Sequence, residues 1–522
     1  MSSASSRSWF SFLDSSNSLL ASLSKLLLIS GVVVYLGIIF LPNIPSCPSS
    51  PEIMLSSSRL AMPAATGDNN PSSSGIIPSP PPADSPPPPP TLSAESAEES
   101  RTNLSHLIFG LVGSENAWHH RKAYIETWWR PNVTRGFIYL DTEPTEELLP
   151  WSPWSPPYRV SDNITRVVAE TGHVDATVAR LVHGIMEVFR DCDGDDGAEE
   201  LRWVVMGDDD SIFMLDNMVE LLAKYDHRKY YYFGGHSEFI LSNFWYSFNQ
   251  GFGGAGFFLS YPLAKALAHS MDSCLKRYNQ LRAADSTTMA CIADLGINLT
   301  PVPGIHQMDM RGDASGFLSS HPNSPLISLH HFDMVEPLFP LMDRFQSAAH
   351  LMTAASFDQT RILQQTICHH RPTNWTFSVS WGYSAHIYER IMPRSHLQNP
   401  IATFKEWAFA NPRPPHWMFD VRAPVNHPCE TPHVFFLESS KRTPDEEEIV
   451  STYKRQWRRK LPACLFTGNH SADYVFRVRV YTPSAKRTQT DNRCECCDVT
   501  RVTESSIAEV KIRSCMKNEV IA

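Results

Sequence analysis

The 522-residue sequence lacks a strong charge of either sign: 45 Lys and Arg face 55 Asp and Glu, a formal net charge of -10. Without a basic bias, nucleic acid is not an expected partner. Cysteine is sparse, 11 in all, which excludes a small disulfide scaffold. No internal repeat is visible. The glycine-rich stretch G-F-G-G-A-G (251–256) lacks the G-x-x-x-x-G-K of a P-loop and does not by itself indicate a nucleotide. The acidic run D-C-D-G-D-D-G (191–197) starts like an EF-hand and then fails. Asp196 stands where the loop needs Gly, and Arg202 where it needs Glu, so a polar loop is expected. Cys494-x-Cys496-Cys497 has no second C-x-x-C and no nearby His to complete a zinc set. What is present is length for two domains with appendages, and 42% apolar residues, enough for a sizeable core.

The first appendage is apolar. Residues 26–41 carry no charge, and the stretch extends back over Lys25 to Leu19. Leu19–Leu41 is long enough to span a bilayer, with Lys25 able to snorkel to the headgroups. It is long for a cleaved signal peptide, and no clear A-x-A site follows. Its Ser-rich and Pro-rich flanks argue against a core helix. Arg7 and Lys25 precede the span, with Asp14 between them, and Glu52 and Arg59 follow; the balance leans to a cytosolic N-terminus. The expected layout is a tail over 1–18, a signal anchor over 19–41, a Ser/Pro-rich stem over 42–103 and a lumenal remainder. Sequons at Asn103, Asn132, Asn163, Asn298 and Asn374 lend weak support to the lumen, and Pro301 tells against use of the Asn298 sequon.

Folded sequence begins near Leu104. Strands are expected at 104–114, 135–141 and 203–206, and helices at 116–129, 174–189 and 215–224. Alternating strands and helices with continuously apolar strands predict an α/β domain around a mostly parallel sheet covered on both faces. Past about residue 345 the pattern changes. Residues 375–388 and 474–481 alternate as half-buried strands do, and most cysteines lie here. In an oxidising lumen several would pair. Residues 346–522 therefore read as a β-rich accessory module.

The chemistry is concentrated in a few places. W-V-V-M-G-D-D-D-S-I-F (203–213) sets Asp208, Asp209 and Asp210 at the end of an apolar strand. Ligands bind beyond the carboxyl ends of such strands. Three adjacent carboxylates repel one another, and a divalent cation reverses that balance; hard oxygen ligands suit Mn²⁺ or Mg²⁺. In extended chain Asp208 and Asp210 share a side and Asp209 points away. The ordinary alternative is a solvated turn in which Asp210 or Asp216 caps the next helix. Asp285, at the start of an apolar helical stretch, reads as an N-cap or as a base facing the metal site. L-I-S-L-H-H-F-D (326–333) ends a strand in two histidines, and imidazole is a ready third ligand.

Taken in order, W-V-V-M-G-D-D-D-S-I-F (203–213), F-G-G-A-G-F-F-L-S (252–260), A-A-D-S-T-T (283–288) and S-L-H-H-F-D (328–333) resemble the Fringe-type β-1,3-glycosyltransferases, especially a plant branch long labelled a domain of unknown function. The resemblance covers roughly 104–345. It implies a GT-A fold with a Rossmann-type mixed sheet, a UDP-sugar donor, Mn²⁺ (or Mg²⁺), and inversion at the anomeric carbon. The acceptor would be a hydroxyl of a glycan, glycoprotein or small glycoside. It also implies a type II protein of the Golgi membrane with its catalytic domain in the lumen. Carried over by residue, Asp208, Asp209 and Asp210 match the donor and metal motif, with Asp210 the direct ligand. Gly253, Gly254, Ala255 and Gly256 match the segment lining the sugar and acceptor side. Asp285 matches the catalytic base. His331 matches the metal histidine, with His330 a close rival in register. The sequence departs from the pattern at Ala284, where many relatives carry a second acidic residue, and in 350–522, which has no counterpart in animal Fringe proteins. A catalytically inactive lumenal glycan-binding protein on the same fold is the alternative reading.

Overall fold

The computed structural model describes residues 101–521, apart from 194–199, 409–412, 466–470, 488–493 and 503–505. The expected tail and span, and nearly all of the stem, lie outside the described residues. Among the described residues no helix is long and apolar enough to cross a membrane.

Seven strands form the first sheet: β1 (Leu107–Val112), β2 (Arg135–Leu140), β3 (Tyr158–Val160), β4 (Trp203–Asp208), β5 (Tyr232–Gly234), β6 (Phe257–Ser260) and β7 (Leu299–Pro301). Their order is β3-β2-β1-β4-β6-β5-β7. Only β6 runs against its neighbours, so the sheet is mixed and mostly parallel. Its central strands are apolar at nearly every position because both faces are covered. Leu107, Phe109, Leu111, Trp203 and Val205 enter one core, while Ile108, Val112, Val204 and Met206 enter the other. That is the two-residue alternation of a strand applied to two cores.

Helix α1 (Glu115–Ile125), started by a Ser114 side-chain cap, sends Trp118, Tyr124 and Ile125 into the first core. Helices α2 (Ala176–Asp193), α3 (Tyr261–Arg277) and α4 (Ala284–Asp294) supply the second. A disulfide, Cys274–Cys291, joins α3 to α4. Because β1 lies between β2 and β4, the chain leaves β1 in one direction and returns on the other side. A crevice therefore opens beyond the carboxyl ends of β1 and β4, where Val112 is paired with Asp208.

A small three-stranded sheet closes that crevice. Ser328–Leu329 pairs antiparallel with Ile212–Phe213 and parallel with Ile305–His306. The register Leu329↔Ile212 brings His330 beside Asp210 and Ser211.

Downstream, helix α5 (Arg344–Phe357) starts at a capping box between Asp343 and Gln346. A second sheet follows: β8 (Gln365–His370), β9 (Trp375–Ser380), β10 (Ser384–Tyr388), β11 (His433–Arg442), β12 (Glu448–Arg455), β13 (Arg477–Pro483), β14 (Cys496–Val502) and β15 (Ile507–Arg513). All its pairs are antiparallel except β13 with β15. The stretch 375–388 is a hairpin rather than one half-buried strand, and β9 and β10 are buried throughout. One face of each joins a core shared with the first sheet, and the residues of the other face are buried as well. Cys368–Cys497, Cys429–Cys464 and Cys496–Cys515 staple this region, which accounts for Cys496 and Cys497 of the incomplete zinc set, while Cys494 is a free thiol. One segment reaches back: Phe404–Glu406 pairs with Met310–Gly312, and Trp417 bridges to Phe239.

Candidate active site

The apolar run of β4 ends in a tight turn. The Asp208 amide donates to Ser211 Oγ at 2.8 Å, and Ser211 Oγ donates to the Gly254 carbonyl at 2.6 Å. Beyond the strand the carboxylates split as extended chain requires. Asp208 and Asp210 face His330, whose Nε2 lies 3.1 Å from Asp210 Oδ1 and 3.8 Å from Asp208 Oδ2. Asp209 turns away and takes Arg121 Nη1 at 2.6 Å and the Ser114 amide at 3.3 Å. The capping alternative does not apply. Met214 occupies the cap position of helix Leu215–Leu222 without a side-chain bond, and Asp216 pairs with Arg130 at 2.8 Å.

The glycine stretch explains how His330 and Asp285 come so close to the aspartates. A Cβ on Gly254 would stand 2.0 Å from the His330 ring, and one on Gly253 would stand 2.6 Å from Asp285 Oδ1. Both side chains lie directly against backbone that only glycine leaves open. The Gly253 amide donates to Asp285 Oδ1 at 3.0 Å. Asp285 is therefore no N-cap: it sits in the first turn of α4, after an Ala283 cap, and its carboxylate crosses to the glycines. Gly253, Gly254, Asp208, Asp285 and His330 all line one cavity of about 260 Å³. Ala255 and Gly256 sit behind it. The Ala255 amide donates to Gln307 at 2.9 Å, and Gly256, at φ +91°, lies against Phe213.

Charge in the recess is poorly balanced by protein alone. Desolvation pushes Asp208 up to about 7; its acidic neighbours add to the rise and His330 opposes it. Desolvation also raises Asp209, against the pull of Arg121. For Asp210 desolvation is outweighed by His330 and Arg121, which hold it below the usual carboxylate range. Burial opposes charge on His330, but Asp210 and Asp208 lift it to about 9. Asp285 is raised to about 6 by desolvation, with the Gly253 amide working the other way.

A divalent cation fits this donor set. One atom each from Asp208, Asp210 and His330 lies within 4.8 Å of the others. Asp210 Oδ2 is buried and no donor among the described residues reaches it. Two carboxylate oxygens and an imidazole nitrogen suit Mn²⁺ or Mg²⁺.

With this geometry in hand, comparison with known families is decisive for the first sheet: residues 103–315 match the Fringe-like family. The chain carries a Fringe-like domain. A second match, over residues 242–497, is to a family described as a protein of unknown function, DUF604. The two overlap over 242–315, which holds the glycine segment and Asp285 of the Fringe-like domain. No curated protein sequence matches the chain. The Fringe-like match and the Asp208, Asp210 and His330 set together support a Mn²⁺-dependent glycosyltransferase activity in general terms.

The resemblance places the metal histidine at His331 with His330 a close rival, and the histidine grouped with Asp208 and Asp210 is His330. The strand ends at Leu329 and His331 sits in the left-handed region, φ +63°; its ring lies 3.9 Å from that of His330 and lines the same cavity. It lies 3.0 Å from Asp309 and stacks on Trp407 at 4.5 Å between centroids.

Several functional neighbours in the Fringe-like domain carry no sequence signal. Arg121 joins Asp209, Asp210 and Asp333, the last at 3.1 Å from its Nε. Tyr124 donates to Asp333 at 2.9 Å. The helical pattern of 116–129 gives no hint that one face of that helix would neutralise carboxylates some 90 positions away. The sequon asparagines Asn103, Asn132, Asn163, Asn298 and Asn374 are exposed; Asn163 caps helix Ile164–Thr171, and Asn298 accepts from Asn249 at 3.0 Å.

Proposed function

We propose that this chain is an inverting glycosyltransferase with a GT-A fold, moving a sugar from a UDP-sugar to an acceptor hydroxyl, with a β-1,3 linkage as the family resemblance suggests. The observation that carries the reading is that Asp285 shares one cavity with Asp208 and His330 while its carboxylate is oriented by the Gly253 amide. A base and a cation-binding set beside a single sugar-sized space are what direct displacement needs.

In this scheme Asp285 accepts the proton of the acceptor hydroxyl as that oxygen bonds to C1 of the donor sugar. The bond from C1 to the diphosphate oxygen breaks, and UDP leaves with the electron pair. Inversion requires the base and the diphosphate on opposite faces of the sugar, as in inverting hydrolases. Asp208, Asp210 and His330 would hold the cation, which supplies positive charge to the leaving diphosphate. Arg121 fixes Asp209 and Asp210 and limits repulsion within the triplet. The apolar stretch Leu19–Leu41 and the Ser/Pro-rich stem support a type II Golgi membrane protein with this domain in the lumen. The test is a panel of UDP-sugars with Mn²⁺, read by product mass against glycan and glycoside acceptors. Transfer that requires Mn²⁺ and an acceptor supports the reading; sugar or phosphate release that needs no acceptor identifies a hydrolase instead.

A further inference from the structure

Phe244, Trp245, Tyr246 and Phe248 are 71%, 48%, 53% and 52% exposed. Four large rings in five residues form an apolar patch of the kind that marks a contact surface. The backbone beneath them is pinned. Asn243 donates to the Ser237 carbonyl at 2.8 Å, Ser242 Oγ donates to Asp309 at 2.9 Å, and the Ile240 amide donates to the His416 carbonyl at 2.9 Å. The rings therefore stand on a rigid base.

The far end of the patch is tied to the residues that flank the cavity. Ser286, next to Asp285, donates to Gln250 at 2.7 Å. Tyr246 meets Phe252 edge to face at 6.4 Å, and the next residue, Gly253, holds Asp285. The aromatic segment carries no basic charge of its own: no Lys or Arg occurs between Lys229 and Lys265. Its one acid, Glu238, is buried on His306 and the Met308 amide. Anionic lipid or phosphate would call for basic side chains. Uncharged aromatic faces instead suit a neutral ring with an apolar CH face.

We propose that Trp245 and Tyr246 form the acceptor shelf, stacking on a pyranose ring of a neutral glycan and presenting its hydroxyl to Asp285. This inference rests on the transferase reading above.

The test uses the full chain with Mn²⁺, a UDP-sugar, and methyl β-D-galactoside, methyl β-D-glucoside and their N-acetylhexosamine counterparts as acceptors. Trp245→Ala with Tyr246→Ala should raise acceptor KM by about tenfold or more, leaving the KM of the UDP-sugar within about twofold. Trp245→Phe with Tyr246→Phe should restore acceptor KM to within about threefold. An unchanged acceptor KM overturns the proposal, as does an equal rise for donor and acceptor. A loss seen only with vesicle-embedded acceptors, the soluble glycosides being unaffected, identifies a membrane contact and overturns it too. Binding of the same glycosides, followed by titration calorimetry, separates the two readings. Binding lost in the alanine pair supports the shelf even if the wild-type chain transfers nothing, a result that would refute the transferase alone.

Discussion

Strand Leu107–Val112 of the first sheet is buried along its whole length and carries no ionisable side chain, whereas strand Arg477–Pro483 of the second alternates between buried and half-buried positions. On the second sheet Arg477 pairs with Glu438 at 2.9 Å and Lys511 with Glu448 at 2.7 Å, spread over an open face. The central strands of the first sheet have no such face. Polar groups can gather only at the rim where these strands end, and Asp208, Asp210, His330 and Asp285 gather there. The covered central strands of the first sheet concentrate their charge at the rim, and the outer strands of the second sheet disperse theirs over an open face. The second region lends the site aromatic surface rather than ionisable groups, Trp407 against His331 and Trp417 against Phe239.

This contrast can be broken from either side. The largest expected effect is on stability. The Cys368–Cys497 bridge closes a loop of 129 residues, and a Cys368→Ser/Cys497→Ser variant should lose about 4 kcal/mol by denaturant titration. Next, His330→Ala should weaken Mn²⁺ binding by about 100-fold, and His331→Ala by about tenfold or less, measured by calorimetry. A larger loss for His331→Ala than for His330→Ala would return the metal role to the register that the family resemblance suggests. The pH profile sharpens the picture further. Burial lifts Asp285 to about 6, so its proton is held more tightly than in an ordinary aspartic acid. The base must be ionised, so kcat/KM should fall as pH drops through about 6. An acid limb near 4, the ordinary Asp range, would show that Asp285 is not the titrating base. The smallest effect is expected for Trp407→Ala, a change of about threefold in donor KM through the freed His331 ring.

Much of the first sheet was legible because its strands are continuously apolar and its helices periodic. Val178, Val182, Ile185 and Val188 repeat at helical spacing, and all four are buried. The alternation of Asp208, Asp209 and Asp210 could likewise be read from extended geometry. The histidine register could not, because it depends on where Ser328–Leu329 stops pairing and on a left-handed turn at His331. Nor could the partnership of Arg121 with Asp209, which is created only when α1 docks beside the end of β4. The return of 404–417 to the first region was hidden for the same reason: strand pairing at long range leaves no local periodicity.

The most direct test of the account is to measure transfer and donor binding together for Asp285→Asn. The isosteric amide can still accept the Gly253 amide hydrogen but cannot take up the acceptor proton. The account predicts Mn²⁺-dependent UDP-sugar binding close to that of the wild type, with transfer reduced by about a thousandfold or more. Transfer within about tenfold of the wild type would contradict it and remove Asp285 as the base.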